Sequence, residues 1–379
     1  MSRIKSLLFL LALAAQVQLA SATVAYVVGT CKPSLPSFTR IMDALGAAPA
    51  PNVVEVCPGT YNEQVVITSP VAIEGITVGN STQAIIAAPP GGLAVNFTDS
   101  YGQSVAAQVL VENASGEVNL SKLTVDGTGN NVTGSAYIWV VGVLYANSLG
   151  TMNHLAIQNQ NGNGLGVGLW LEGGSANPSV TLENSNLQGF DNTGIEAETN
   201  SSSSELTATL KENYLTATFP GFSANLVAIG IYRGATASVS GNLIAPGFTY
   251  GISADEGSVS KNTVVSGVYR GILSYGASVT SNTVYNTGAN LSYPPGAAIW
   301  VNSSVAPVTG NTIAQPGTTP VGTVGNAIDL DCTAGNNVHS NTILGAANAL
   351  LNVATGASPI NTIYSVGTLR GSDTIDECQ

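Results

Sequence analysis

The sequence predicts an all-β fold, a single-stranded parallel β-helix with a short N-terminal capping helix. Three observations predict it. The stretch from Val259 to Val284 opens with V-S-K-N-T-V and closes with V-T-S-N-T-V, and further copies of V-[S/T/H]-x-N-[T/L]-[I/V] begin at Val239, Val308 and Val338. A small residue followed by an aliphatic one recurs in the same units, at Gly142-Val143, Gly168-Leu169, Gly194-Ile195, Gly230-Ile231, Gly251-Ile252, Gly271-Ile272, Ala298-Ile299 and Ala327-Ile328. No segment after residue 48 carries a helical period.

The asparagines at 213, 242, 262, 282, 311 and 341 stand 29, 20, 20, 29 and 30 residues apart, so the smallest unit is twenty residues and longer ones carry insertions. Looser relatives lie at Leu210 to Leu215 and around Asn153-His154-Leu155. Such a period marks a repeat architecture, and β-branched alternation excludes helical repeats. A propeller blade needs about 40 residues, twice the smallest unit here. In a β-helix one unit is one coil, and each strand pairs with its counterpart about 4.8 Å away. Inward aliphatics then stack into a continuous core. The repeated Asn is read as the residue that takes the left-handed backbone of a tight turn and hydrogen-bonds to its stacked copies.

The two ends of a coil stack expose unpaired edges. At the start, residues 37–48 are expected to form the cap: Ser37 would cap a helix with Phe38, Ile41, Met42 and Leu45 on one side. Residues 346–379 would close the other end. Residues 1–22 read as a secretory signal peptide, with Arg3 and Lys5, an apolar Leu7 to Ala15, and Ala20-Ser21-Ala22 at the cleavage positions. Residues 23–379 then form one domain. The apolar run is too short to span a bilayer. Cys31, Cys57, Cys332 and Cys378 are even in number in a chain read as exported. Three pairings exist, and Cys31–Cys57 with Cys332–Cys378 is chosen because each pair would pin one end.

Without the leader the chain holds 8 Lys and Arg against 22 Asp and Glu, a net charge of −14. That excludes nucleic acid, whose phosphates need a basic footprint. A polyanionic glycan would be repelled unless cations bridged it. Charged residues make up only 8% of the chain, but 44% hydrophobic content argues against disorder.

Aligning the strands on the small-aliphatic marker gives two outward columns. The first reads Leu144, Trp170, Glu196, Tyr232, Ser253, Leu273, Trp300, Asp329; the second reads Ala146, Glu172, Glu198, Gly234, Asp255, Tyr275, Asn302, Asp331. These positions hold six carboxylates, against about one expected from 22 acids in 379 residues. Flat rings beside acceptors suit a sugar chain, whose ring faces stack and whose hydroxyls hydrogen-bond. Trp170, Tyr232, Asp255, Tyr275 and Trp300 are therefore the candidate substrate-binding residues. Glu172, Glu196 and Glu198 are the candidate catalytic residues, since glycoside hydrolysis needs two nearby carboxyls. Asp329 and Asp331 would form a pair able to hold Ca²⁺; no other cofactor is expected. A plain solvated sheet face would explain the same acids. Arg233, Arg270 and Lys261 lie near the face, with Arg233 at an inward phase and expected to pair with a carboxylate at a turn. His154 and His339 are placed in turns.

The segment FTRIMDALGAAPAPNVVEVCPGTYNEQVVITSPVAIEG, from Phe38 to Gly75, resembles the opening of the pectin-lyase-like superfamily of right-handed β-helices. The marks are the helix, the Pro-Gly-Thr-Tyr-x-Glu turn at Pro58 to Glu63, and the following strand pair. Pectin methylesterases open similarly. The resemblance, covering most of residues 38–345, implies right-handed coiling. It implies no catalytic residue, because the methylesterase, polygalacturonase, pectate lyase and alginate epimerase motifs are absent. The expected protein is a secreted monomer that binds an extracellular polysaccharide, with cleavage as a further capacity and no nucleic-acid or membrane partner. The alternatives are a non-catalytic surface or adhesion module and a divergent pectin-type lyase.

Overall fold

A computed structural model describes residues 23–76, 83–132, 137–175, 177–199, 205–217, 226–265, 267–285, 297–303, 306–314, 326–332, 337–344, 350–353, 360–365, 368–370 and 375–377. Residues 1–22, Cys378 and the 201–204 serine run lie outside the described residues.

Nearly every strand pairs in parallel with the equivalent strand of the next coil, giving three ladders. Val143, Leu169, Ile195, Ile229, Ile252 and Ile272 follow one another in the first ladder. All six are fully buried. Leu187, Leu215, Ile244, Val264, Val284 and Ile313 do the same in the second ladder, and Leu210, Val239, Val259, Val279 and Val308 in the third. One apolar core runs the length of the stack. The glycine of the small-aliphatic marker has a steric cause. A Cβ on Gly168 would lie 2.6 Å from the Gly194 carbonyl oxygen, and one on Gly251 would lie 2.4 Å from that of Gly271.

The asparagines form a buried ladder. The Asn242 side-chain amide donates to Asn262 Oδ1 at 2.9 Å, Asn262 to Asn282 at 3.0 Å, and Asn282 to Asn311 at 3.0 Å. Each Oδ1 also accepts the backbone N–H of the preceding copy. The left-handed backbone, however, belongs to the residue before the Asn: Glu212, Gly241, Lys261, Ser281, Gly310 and Ser340 have φ between 55° and 68°. The reason is geometric. The turn residue points outward, where any side chain is tolerated, while in these coils the inward-facing next position carries the laddered amide. Upstream, Ser185 takes the slot and accepts from Leu155 N–H, with His154 at the outward turn position.

At the N-terminal end the helix is a single turn, Ile41–Leu45, shorter than the 37–48 cap expected. Ser37 does not cap it. Ser37–Phe38 instead pairs with Val27 and Val28 as a short strand. The cap comes from the Pro-Gly-Thr-Tyr-x-Glu turn: the Glu63 carboxylate, 3% exposed, accepts the N–H of Ile41 at 2.8 Å and of Met42 at 3.1 Å. A carboxylate there meets the orphan donors and positive end of a helix start. Ile41 and Ala44 face the first coil. A Cys31–Cys57 disulfide ties down this end and fits an oxidising destination. Cys332 is also disulfide-bonded. At the other end, Ile360–Ser365 extends one ladder in parallel and turns back as an antiparallel pair with Thr368–Arg370. No helix among the described residues is long and apolar enough to cross a membrane.

Candidate active-site groove

The first outward column sets Leu144 beside Trp170, Trp170 beside Glu196, and Glu196 beside Gly230, continuing through Ser253, Leu273, Trp300 and Asp329. Tyr232 is displaced from its expected place. The tandem Ala228-Ile229-Gly230-Ile231 offers two equivalent small-aliphatic pairs, and Ile195 pairs with Ile229 rather than Ile231. Tyr232 therefore falls in the Glu172–Glu198 column, and its ring folds back over Gly230, where a Cβ would lie 2.4 Å from a ring carbon. The register then slips between Ile231 and Thr236. Arg233 sits in that bulge with φ 51°. The alternation expected to turn it inward is broken there, and its side chain is 58% exposed.

These features shape a groove of about 1010 Å³. Trp170, Glu196, Glu198, Tyr232, Ser253 and Asp255 contribute to it from the sheet, and Leu273 and Tyr275 lie further along. One side is built by Asp99, Tyr101, Gln103 and Trp139. The chain folds back here because the outer face below is apolar. Val105, Ala107, Val141, Leu144 and Trp170 form a second cluster, covered by Phe97 and Trp139. Asp99 Oδ1 shapes the return by accepting the N–H of Tyr101 at 2.9 Å and of Gln103 at 2.7 Å. The Trp139 indole N–H donates to Gln103 and its ring meets Trp170 edge-on, centroids 5.7 Å apart.

Glu196, Glu198 and Asp255 lie close together in the groove, in distinct environments. Glu196 lies between Trp170 and the folded-back Tyr232 ring. Part of it opens to the groove, yet burial among these rings, followed by the Glu198 charge, pushes it up to about 7. Glu198 is 4% exposed. Burial keeps it above the ordinary glutamate range, although the Arg233 guanidinium at 2.9 Å opposes the rise. Arg233 also lies 4.4 Å from the centre of the Tyr101 ring, and its backbone N–H donates to Asp255 at 3.0 Å. Asp255 is raised, chiefly by burial. The Trp170 indole N–H, in a side chain 3% exposed, faces Glu198 and favours its charged form.

Glu172 pairs in register with Glu198 but does not line the groove. The returning segment seals it: Oε1 accepts Ser100 N–H at 3.1 Å and Oε2 is buried without a partner. Burial, opposed by the Ser100 bond and aided by Glu198 and Asp99, pushes it up to about 7. Trp300 also stays out of the groove. It is 8% exposed and lies behind Tyr275, edge-on at 5.4 Å, and Arg270, 4.4 Å from its ring centre. The Asp329 carboxylate accepts the Asp331 N–H at 3.2 Å. Among the described residues no three His, Cys, Asp or Glu side chains group as a metal site. Lys261, His154 and His339 sit at the Asn-ladder turns, away from the groove. Sequence reasoning missed Asp99, Tyr101, Gln103 and Trp139. Alternation from Leu144 runs through Gly142 to Val140 and Ile138, so it misses Trp139; the phase breaks at Gly142, where Val141 and Leu144 join one outer cluster. The other three lie between repeat strands and carry no periodic signal.

No protein-family model matches the chain and no curated protein matches it. Solved structures do. The catalytic domain of a GH87 alpha-1,3-glucanase in complex with tetrasaccharides superposes with a TM-score of 0.57 at 12% identity, over 94% of this chain and 66% of that one. The Dettilon tailspike protein gives 0.48 at 14%, over 83% and 62%. A GH136 lacto-N-biosidase from Eubacterium ramulus gives 0.47 at 11%, over 93% and 67%. The chain thus spans slightly under two thirds of the length of the first two. What it shares with the glucanase domain is the fold, a right-handed parallel β-helix.

Proposed function

We propose that the protein is a secreted glycoside hydrolase that binds an extended polysaccharide in this groove. The observation that carries the reading is the unequal environment of two neighbouring carboxyls. Glu196 is held protonated near neutral pH between aromatic rings, while Glu198, one outward position further along the same strand, is paired with Arg233. Alternate outward positions lie about 6.6 Å apart, a spacing of the order that glycosidases use. Glu196 is assigned as general acid, giving its proton to the leaving glycosidic oxygen. Glu198 is assigned as the ionised partner that activates water or attacks the anomeric carbon. Tyr232, Tyr275 and Trp139 offer ring faces to the sugars. The carbohydrate-bound glucanase of the same fold is in keeping with this use of the scaffold. The leader read in residues 1–22 and the disulfide support export.

A non-catalytic adhesion module would need neither a groove nor an acid kept protonated inside it. Elimination would need a cation beside the base to neutralise a uronate; Arg233, which adjoins the paired glutamates, is committed to Glu198, and the other groove arginine, Arg270, lies further along against Trp300. The test is incubation with a panel of polysaccharides, reading both new reducing ends and the ultraviolet absorbance of unsaturated product ends. Hydrolysis predicts reducing ends without unsaturation, abolished by Glu196→Gln. Unsaturated ends, or no turnover of any bound glycan, would overturn it.

A further inference from the structure

The groove has a charge balance that selects among glycans. Asp99, Glu196, Glu198, Asp255 and Glu256 supply five carboxyls to its lining, and two arginines oppose them. The arginine beside the paired glutamates is already engaged: Arg233 is bonded to Glu198 and lies 4.4 Å from the Tyr101 ring centre, while Arg270, further along, lies 4.4 Å from the Trp300 ring centre. Recognition of a sugar carboxylate calls for a guanidinium fork or an ammonium facing the ligand, and like charges brought together in a groove cost affinity. With Glu196 protonated, four carboxylates still outnumber two cations.

The remaining surface suits an uncharged chain. Trp139 and Tyr101 place rings at one end of the groove, and Tyr232, Tyr250 and Tyr275 place them at three successive coils further along. The lining runs over the strands Ile138–Ala146, Gly166–Gly173, Thr193–Thr199, Val227–Ser240, Phe248–Ser260 and Gly267–Ser274. Five steps of about 4.8 Å give roughly 24 Å along the helix axis, room for several sugar residues.

We infer that the groove binds an electroneutral glycan laid along the helix axis and rejects polyuronates. This rests on the glycan reading above and adds the class of sugar. The test uses the full chain carrying Glu196→Gln, so that binding is read without turnover by tryptophan fluorescence. Linear α-glucan, β-glucan and mannan oligosaccharides are each titrated beside their C6-oxidised, uronate-bearing twins. The expected result is at least one neutral chain bound about tenfold or more tighter than its oxidised twin at ~0.01 M salt, with the gap narrowing at ~1 M as screening weakens the repulsion. An oxidised twin that binds as well or better, or whose binding weakens as salt is added, overturns the inference. Binding of no chain overturns both the inference and the glycan reading. The stated preference without reducing ends from the wild-type chain overturns hydrolysis alone and supports the inference.

Discussion

Glu196 and Glu198 differ by what touches them. Two rings surround the first, and a guanidinium neutralises the second. Activity should therefore fall as pH rises through about 7, where Glu196 loses its proton, and fall again at low pH as Glu198 gains one. Replacing Glu196 by Gln should lower kcat by about 10²–10⁴-fold with oligosaccharide binding kept. Replacing Arg233 by Met should move the acid limb to higher pH, since the group that holds Glu198 down is gone; a pH–rate profile reads both. Glu172 has a different consequence. Its folded carboxyl keeps a proton up to about 7, against about 4.5 in the unfolded chain. Between those values the native state binds more protons, so stability falls as pH rises through the window. Glu172→Gln should remove that slope and stabilise the protein by roughly 2–3 kcal/mol above the window, with little change below it. Urea unfolding at several pH values measures this.

The Asn ladder and the cap are the elements that impose order on the coils. Asn262 is 1% exposed. Its Oδ1 accepts from Asn242 N–H and Nδ2, and its amide donates to Asn282 and to the Val239 carbonyl. Asn262→Ala would strand several buried polar groups at once. A loss of about 3 kcal/mol or more is expected in chemical unfolding, since each orphaned group costs about 1–3 kcal/mol. Lys261→Ala, one residue away at the exposed turn, keeps the ladder and loses only the tolerance for φ 57° that a longer side chain shares, so it should cost far less. The ladder was legible as a spacing, because identical neighbours one coil apart force identical residues. Which residue of the turn is left-handed was not legible, since the two positions are adjacent and both are read as turn residues. The cap likewise showed the right sequence marks, but Glu63 reaches the helix from 22 residues away.

At the scale of the molecule, the strands of each coil pair only with those of the neighbouring coils, so an uncapped end is where unfolding starts. The Cys31–Cys57 bond closes 26 residues of the first coil. Serine at both positions should destabilise by about 3 kcal/mol in the loop-entropy account. Hydrogen exchange should quicken first in residues 25–75 while the Asn262–Asn311 coils stay protected. Uniform loss of protection would mean that the stack unfolds as one unit.

The amino-acid order determined the coil, its period, its core and the outward column that joins Trp170 to Glu196, because vertical stacking turns a linear repeat into a spatial one. Two things were decided only by tertiary structure. The slip that moves Tyr232 and turns Arg233 onto Glu198 depends on which of two equivalent dipeptides pairs with Gly194-Ile195. The wall from Asp99 to Gln103 comes from chain outside the repeat, drawn over an apolar face that only the assembled sheet creates.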